Sequence, residues 1–279
     1  LERVDQLFDT HVHYKKNAFW NAPGMEVFTL PKVRWKRSKH ITHEYPERDL
    51  KIEPWLIFFG IWIAEGWVRK GRIGIAVNKK RVLGALRKSL KDMDIEYIEN
   101  SKDQVIRIYD KQLTEYMFQF NGGALTKSLP AWTWDLNEAQ CRILLHSMML
   151  GDGHMNGTTS MYDTSSIKLK DDTMRLALHC GWAANAYVRY LAGRHHKIKG
   201  KDTVTHADSW RITIVKKKLT PAVNKHIKGQ QTWMNPSSDK VYCCTVPSGL
   251  LYVRRIFKDK KKSQRPAWIG NSAAHGYLL

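Results

Sequence analysis

The chain has 279 residues, enough for one large or two medium domains with real cores, and 43% of it is hydrophobic, as in ordinary globular proteins. The longest apolar stretch, the ten residues from Trp55 to Ala64, is about half of what a membrane helix needs, and no leader-like segment opens the chain. A membrane partner is therefore excluded and a soluble, intracellular, cytoplasmic protein expected, while 46 Lys+Arg against 26 Asp+Glu, a formal +20, call for a polyanion such as nucleic acid.

In chain order, the first strong element is a helix over "WLIFFGIWIA", ending on Glu65 and Gly66. A strand-like "WVRKGRIGIAV" follows, then a helical "KRVLGALRKSLKDM". Two strand-like runs, "IEYIEN" and "QVIRIYD", precede a helical "KQLTEYMFQF". A second apolar helix, within "LLHSMMLGDGHM", ends on Asp152 and Gly153. Behind it come "MNGTTSMYDTSS", a helical "DDTMRLALHCGWAA", and the strand-like "AYVRYLAG" and "SWRITIVKKK". The order helix–strand–strand–helix–strand–strand is thus written twice.

The two helix ends match in detail. Their acids lie 87 residues apart, each followed by glycine. Five residues before the acids stand Gly60 and Ser147, and one residue before them Ala64 and Gly151. Small residues at i and i+4 share one helix face and let two helix backbones approach closely. Packing along these stripes would set Glu65 beside Asp152. The glycines are expected in the left-handed conformation that stops a helix. Two carboxylates at the negative ends of two helices repel unless a cation lies between them, so a divalent metal is expected there. Basic residues alternating with apolar ones, Arg69, Arg72, Arg107, Arg189 and Arg211, are candidates for a DNA-facing sheet surface. Cys141, Cys180, Cys243 and Cys244 show no zinc spacing and read as reduced.

"FFGIWIAEG" and "LHSMMLGDG" resemble the paired signature of LAGLIDADG homing endonucleases, in pattern rather than in letters. The resemblance implies an α+β monomer of two pseudo-symmetric αββαββ(α) halves on a long, nearly palindromic double-stranded DNA site. It also implies that Glu65 and Asp152 hold Mg²⁺, or another divalent cation, at the scissile phosphates. Lys127 in "TKSLPAW" resembles the basic residue that intein endonucleases carry before their second motif, and Lys168 in "YDTSSIKLKDD" is a further DNA-contact candidate.

The flanks resemble an intein. "FDTHVHY" holds Thr10 and His13 in the spacing of the block that activates the N-terminal scissile peptide, and "MEVFTLP" continues in intein order. "VYCCTVPSGLLYVRR" resembles the penultimate block, and "AWIGNS" the C-terminal junction, with Asn271 to cyclise and Ser272 as extein nucleophile. The chain departs from the pattern at three places: no first block precedes Thr10, Gly270 stands where many inteins have His, and the penultimate block lacks His and carries Cys243 where Asp is frequent. The missing first block is expected to mean either a truncated piece of an intein or, in preference, the large C-terminal part of a split intein whose short N-terminal fragment is another polypeptide.

The implied layout is an incomplete all-β (Hint-type) splicing domain over 1–47 and 237–271, an endonuclease over 48–236, and a host-protein stub over 272–279. "KDKKKSQRP" reads as a solvated loop able to add nonspecific DNA affinity. The alternative function is a decayed endonuclease that only binds DNA or RNA, or only splices.

Overall fold

A computed structural model describes residues 4–36, 42–69, 71–156, 159–198, 200–228, 230–231, 233, 244 and 246–270. Helix α1 (Val4–Leu7) and strand β1 (Val12–His13) precede a long hairpin of β2 (Val27–Leu30), β3 (Val33–Lys36), β4 (Thr42–Tyr45) and β5 (Arg48–Lys51), with β2 on β5 and β3 on β4. The first half is α2 (Ile52–Glu65), β6 (Gly66–Arg69), β7 (Arg72–Ala76), α3 (Lys80–Asp92), β8 (Ile98–Asn100), β9 (Val105–Ile108) and α4 (Lys111–Phe118). The second is α5 (Glu138–Asp152), β10 (Gly153–Asn156), β11 (Thr159–Thr164), α6 (Ile167–His179), β12 (Ala183–Tyr190), a hairpin of β13 (His195–Ile198) and β14 (Lys201–Val204), and β15 (Ser209–Val215). Then β16 (Ala222–Val223) pairs with β1, and β17 (Leu250–Val253) with β18 (Ala267–Gly270).

The duplication predicted from sequence is present. One sheet runs β6-β7-β9-β8 and the other β10-β11-β15-β12, all antiparallel and in the same internal order. Two details differ from the expectation. "WVRKGRIGIAV" folds back on itself as β6 and β7, with Gly71 in the left-handed turn. The second half also carries the extra β13–β14 hairpin, which a polar, His- and Lys-rich stretch did not announce.

Local sequence explains the elements. Helix α3 buries Val82, Leu86, Ser89 and Leu90 at helical spacing and leaves its lysines outside. Helix α5 starts on a capping box, Asn137 with Gln140. Helix α2 is apolar on most of its circumference because most of it is covered: Phe28 stacks on Trp55 with ring centres 4.2 Å apart, and Phe59 meets Trp132 edge-on at 5.1 Å. Residues 27–51, on both sides of the expected boundary at 47, give Phe28, Leu30 and Leu50 to this same core. No helix among the described residues is long and apolar enough to cross a membrane.

The flanks meet one another on the second half. Tyr252 donates its hydroxyl to the Lys16 carbonyl (3.2 Å), and Trp268 its indole N–H to the Asn17 carbonyl (3.2 Å). The expected loop at 258–266 keeps its charged side chains exposed and also runs along the edge of β12, where the Ala186 and Gln264 backbones exchange N–H···O bonds of 3.0 and 2.6 Å.

Candidate active site and nucleic-acid interface

Helices α2 and α5 pack along the two stripes of small residues. A Cβ added at Gly60 would lie 2.6 Å from Ser147 Cβ, and one at Gly151 would lie 2.5 Å from Ala64 Cβ. Both distances are too short for any side chain, so these positions set how closely the helices approach. The same Gly151 Cβ would lie 3.5 Å from Glu65 Oε1, which places the Glu65 carboxylate against the backbone that carries Asp152.

The glycines after the acids are not left-handed, contrary to the sequence expectation. Gly66 (φ −102°, ψ 160°) and Gly153 (φ −97°, ψ 157°) are extended. Each helix turns straight into a strand while the glycine N–H still bonds the carbonyl four residues back, Trp62 or Met149. A Cβ would come within 2.2 Å of the Trp62 side chain at Gly66, and within 2.5 Å of the Met149 backbone at Gly153. Close approach, not positive φ, selects glycine here.

Lysines already surround the acids. Lys79, preceding α3, donates to Glu65 Oε1 (2.9 Å) and to the Gly151 carbonyl. Arg81 donates to the Leu150 carbonyl (3.0 Å) and the Gly153 carbonyl (3.3 Å). Lys127 donates to the Ile63 carbonyl at 2.7 Å and reaches the Ala64 carbonyl at 3.4 Å. These cations neutralise the negative ends of both helices. Lys127 is held in place by Ser166, whose hydroxyl donates to the Lys127 carbonyl (2.6 Å), and by Asp172, which accepts the Leu129 N–H (2.9 Å). Burial lowers the pKa of its ammonium, against the opposing pull of Asp152 and Glu65.

The compensation is incomplete. Asp152 keeps solvent access, yet burial first and the Glu65 charge second push its carboxyl up to about 6. It borders a recess of about 200 Å³ whose lining includes Lys127, Tyr162, Asp163 and Ser209. The Tyr162 hydroxyl is fully buried and without a hydrogen-bond partner among the described residues, and burial raises its pKa well above the ordinary value. Because Asp152 binds its proton more tightly folded than unfolded, its contribution falls as pH rises from about 4 to 6, then levels. The shift equals about 3 kcal/mol, reduced to about 1 kcal/mol by solvent screening. Asp152→Asn is therefore expected to raise stability by about 1 kcal/mol at pH 7.5 without divalent cations and to flatten that pH dependence. Urea titrations from pH 4 to 8 check this, and parallel curves for both proteins would refute it.

The donor set fits a hard divalent cation. Two carboxylates stand close to one another, the Asp152 carboxyl raised first by burial and then by the Glu65 charge, beside the Ile63 and Gly151 carbonyls. Among the described residues no group of three or more His, Cys, Asp or Glu forms. Water and phosphate would have to complete the shell, which is the usual way of binding Mg²⁺.

The sheet surfaces turned away from the helices carry the predicted arginines. Arg69 and Arg72 are a cross-strand pair and, among the described residues, have no carboxylate partner. Arg107 pairs with Asp103 at 2.6 Å. Arg189 (2.7 Å) and Arg211 (2.8 Å) both grip Asp163, itself close enough to raise the Asp152 carboxyl further. Lys168 lies on helix α6, tied to Asp172 at 2.6 Å.

Thr10 is exposed, its hydroxyl donating to the Leu7 carbonyl (2.6 Å), and His13 is exposed on β1. Asn271, Ser272 and Cys243 lie outside the described residues. Sequence reasoning missed Lys79, Arg81, Tyr162 and Asp163. One signal was available: Lys79-Lys80-Arg81 opens a helix at its positive end, where cations are unfavourable without another role.

No family model matches the chain. It is 33% identical over 95% of its length to the DNA-directed RNA polymerase subunit beta C-terminal section of Stigeoclonium helveticum. It is 30% identical over 77% of its length to the ATP-dependent Clp protease proteolytic subunit of Chlamydomonas moewusii. A 26% identity over 39% of the chain links it to the RNA polymerase subunit Rpo1C of Methanocaldococcus jannaschii. The chain spans only 28%, 23% and 13% of these relatives. Among solved structures, I-DmoI in complex with DNA and Mn overlaps 60% of the chain and 91% of its own, at 11% identity and a TM-score of 0.37. A variant of I-DmoI with its target DNA and Mg overlaps 60% and 92%, at 10% identity and a TM-score of 0.39. These overlaps are loose, so the fold is read from the chain's own topology. It is a mixed α/β protein built around two like halves that meet at paired acidic helix ends.

Proposed function

We propose that the chain is an intein-borne LAGLIDADG homing endonuclease that makes metal-dependent double-strand breaks in DNA. The observation that carries this reading is the juxtaposition of Glu65 and Asp152 at the joined ends of α2 and α5, between two sheets of identical strand order with arginines on their outer faces. A pseudo-twofold protein suits a nearly palindromic duplex, one half on each half-site.

Glu65 and Asp152 would hold Mg²⁺, which supplies charge to the scissile phosphate and lowers the pKa of a bound water. The chain's own residues then have defined tasks. The two carboxylates orient the attacking water on either strand and accept its proton. Lys127, which lines the recess and has a lowered pKa, offers its ammonium to a phosphate oxygen as charge develops. The outer-face arginines fix the duplex through its backbone.

The intein part rests on a different observation. One segment aligns with parts of an RNA polymerase subunit and a Clp protease subunit, proteins of unrelated roles, as expected of an element that moves between hosts. At the junction, the Asn271 side-chain amide nitrogen attacks the Asn271 carbonyl carbon. That forms a succinimide, breaks the bond to the Ser272 nitrogen and frees a new amino terminus. Thr10 and His13 serve the opposite junction.

A plasmid carrying an uninterrupted host-gene junction tests the nuclease reading. It is expected to be linearised with Mg²⁺ and to stay intact in EDTA. Tight, salt-sensitive binding without any cut would instead favour a decayed nuclease retained for splicing.

A further inference from the structure

The flanks of the nuclease bring a second cationic cluster to the outer edge of β12. The bridge between Ala186 and Gln264 is antiparallel, so Arg265 stands opposite Asn185. Ala186 and Gln264 are both buried, and Gln264 accepts a hydrogen bond from Lys170 of α6 at 3.4 Å, so that pair faces the helices. By strand alternation Arg265 and Asn185 face the other way, onto the surface that carries Arg211. Lys16 meets them there, its ammonium donating to Asn185 Oδ1 at 2.7 Å. Its backbone is anchored on both sides, by the Lys16 N–H on the Leu219 carbonyl (2.9 Å) and by Tyr252 on the Lys16 carbonyl (3.2 Å).

This lysine is only 5% exposed, and among the described residues neither it nor Arg265 has a carboxylate partner. A buried ammonium beside a guanidinium, satisfied by one amide oxygen, is costly in a purely structural role. An anion facing both side chains removes that cost. The approach is basic as well: Lys258, Lys261, Lys262 and Arg265 are all exposed on the segment docked along β12. The other sheet has no described strand beyond its outer strand β8.

We propose that Lys16 and Arg265, one from each flank, form a site for a DNA backbone phosphate at the outer edge of β12, extending the second half's footprint beyond its sheet. The proposal rests on the duplex-binding reading above. A phosphate contact contributes nearly one unit to the slope of log affinity against log salt and is indifferent to sequence.

The test is the binding of the whole chain to a mixed-sequence 40-base-pair duplex, titrated between about 50 and 200 mM salt. Arg265→Gln, an exposed change, is expected to reduce the slope by about one, and Lys16→Gln by a similar amount. Both should weaken binding equally on unrelated duplexes. Lys88→Gln, an exposed change on α3, should leave the slope as in the wild type. A wild-type slope in Arg265→Gln overturns the proposal, whatever Lys16→Gln does. Salt-insensitive or absent duplex binding by the wild type removes the duplex-binding reading and this site together.

Discussion

Glu65→Gln and Asp152→Asn should each reduce duplex cleavage at least about a hundredfold while leaving duplex affinity within about twofold. Both replacements keep the shape of the side chain, so the packing of α2 on α5 is undisturbed. Each removes one anion from a place where two carboxylates converge. On the proposed reading, a divalent cation would lose a charged ligand there, and the attacking water its orienting carboxylate. Affinity should change little, or rise slightly at low salt, because an anion facing the phosphates is gone. Cleavage by gel assay and affinity by anisotropy on one duplex separate the two effects. Retained cleavage in the double variant would end the two-acid mechanism. A parallel fall in affinity would show that the acids act in folding or binding instead.

The second large effect concerns the seam beneath the acids. Gly151→Ala should cost about 2–3 kcal/mol of stability, because its methyl group would meet Ala64 Cβ at 2.5 Å and Glu65 Cγ at 3.0 Å. Glu65 Cγ can rotate away, but Ala64 Cβ cannot yield without separating two helices that are packed along their lengths. Ala64→Gly alone should cost about 1 kcal/mol through helix propensity and lost contact. The pair Gly151→Ala with Ala64→Gly moves the methyl group from one helix to the other and should recover most of the loss. Urea unfolding of the four proteins gives the coupling between the sites directly. Additive losses would mean that the helices do not rely on close approach at this point. Where the single variant stays folded, its cleavage should still be impaired, since the carboxylates ride on the ends of the same two helices.

Much of this architecture was legible because its causes are local. Close helix packing needs small residues at i and i+4, so the Gly60/Ala64 and Ser147/Gly151 stripes announced the seam on their own. The duplication was legible for the same reason, since each helix and strand of the two halves carries its own period. Even so, local signals misled at the glycines. A helix followed by Gly ordinarily suggests a left-handed cap. Here Trp62 and Met149 crowd the exit, and the direct turn into β6 or β10 is a property of the packed pair.

The charged surroundings of the acids were settled only by the tertiary fold. Lys79 reaches the Gly151 carbonyl across 72 residues of sequence, and Lys127 reaches the Ile63 carbonyl across 64. No periodicity encodes such contacts, because a long cationic side chain is equally at home in solvent. The same holds for Asp163 beneath Arg189 and Arg211, and for Lys16 on Asn185 across 169 residues. The sequence by itself therefore determined the paired helices, the repeated strands and the placement of two acids at one point. Only the folded chain decided which cations compensate those acids and which remain free to meet an anion, because burial and distance, not residue type, fix the energy of a charge.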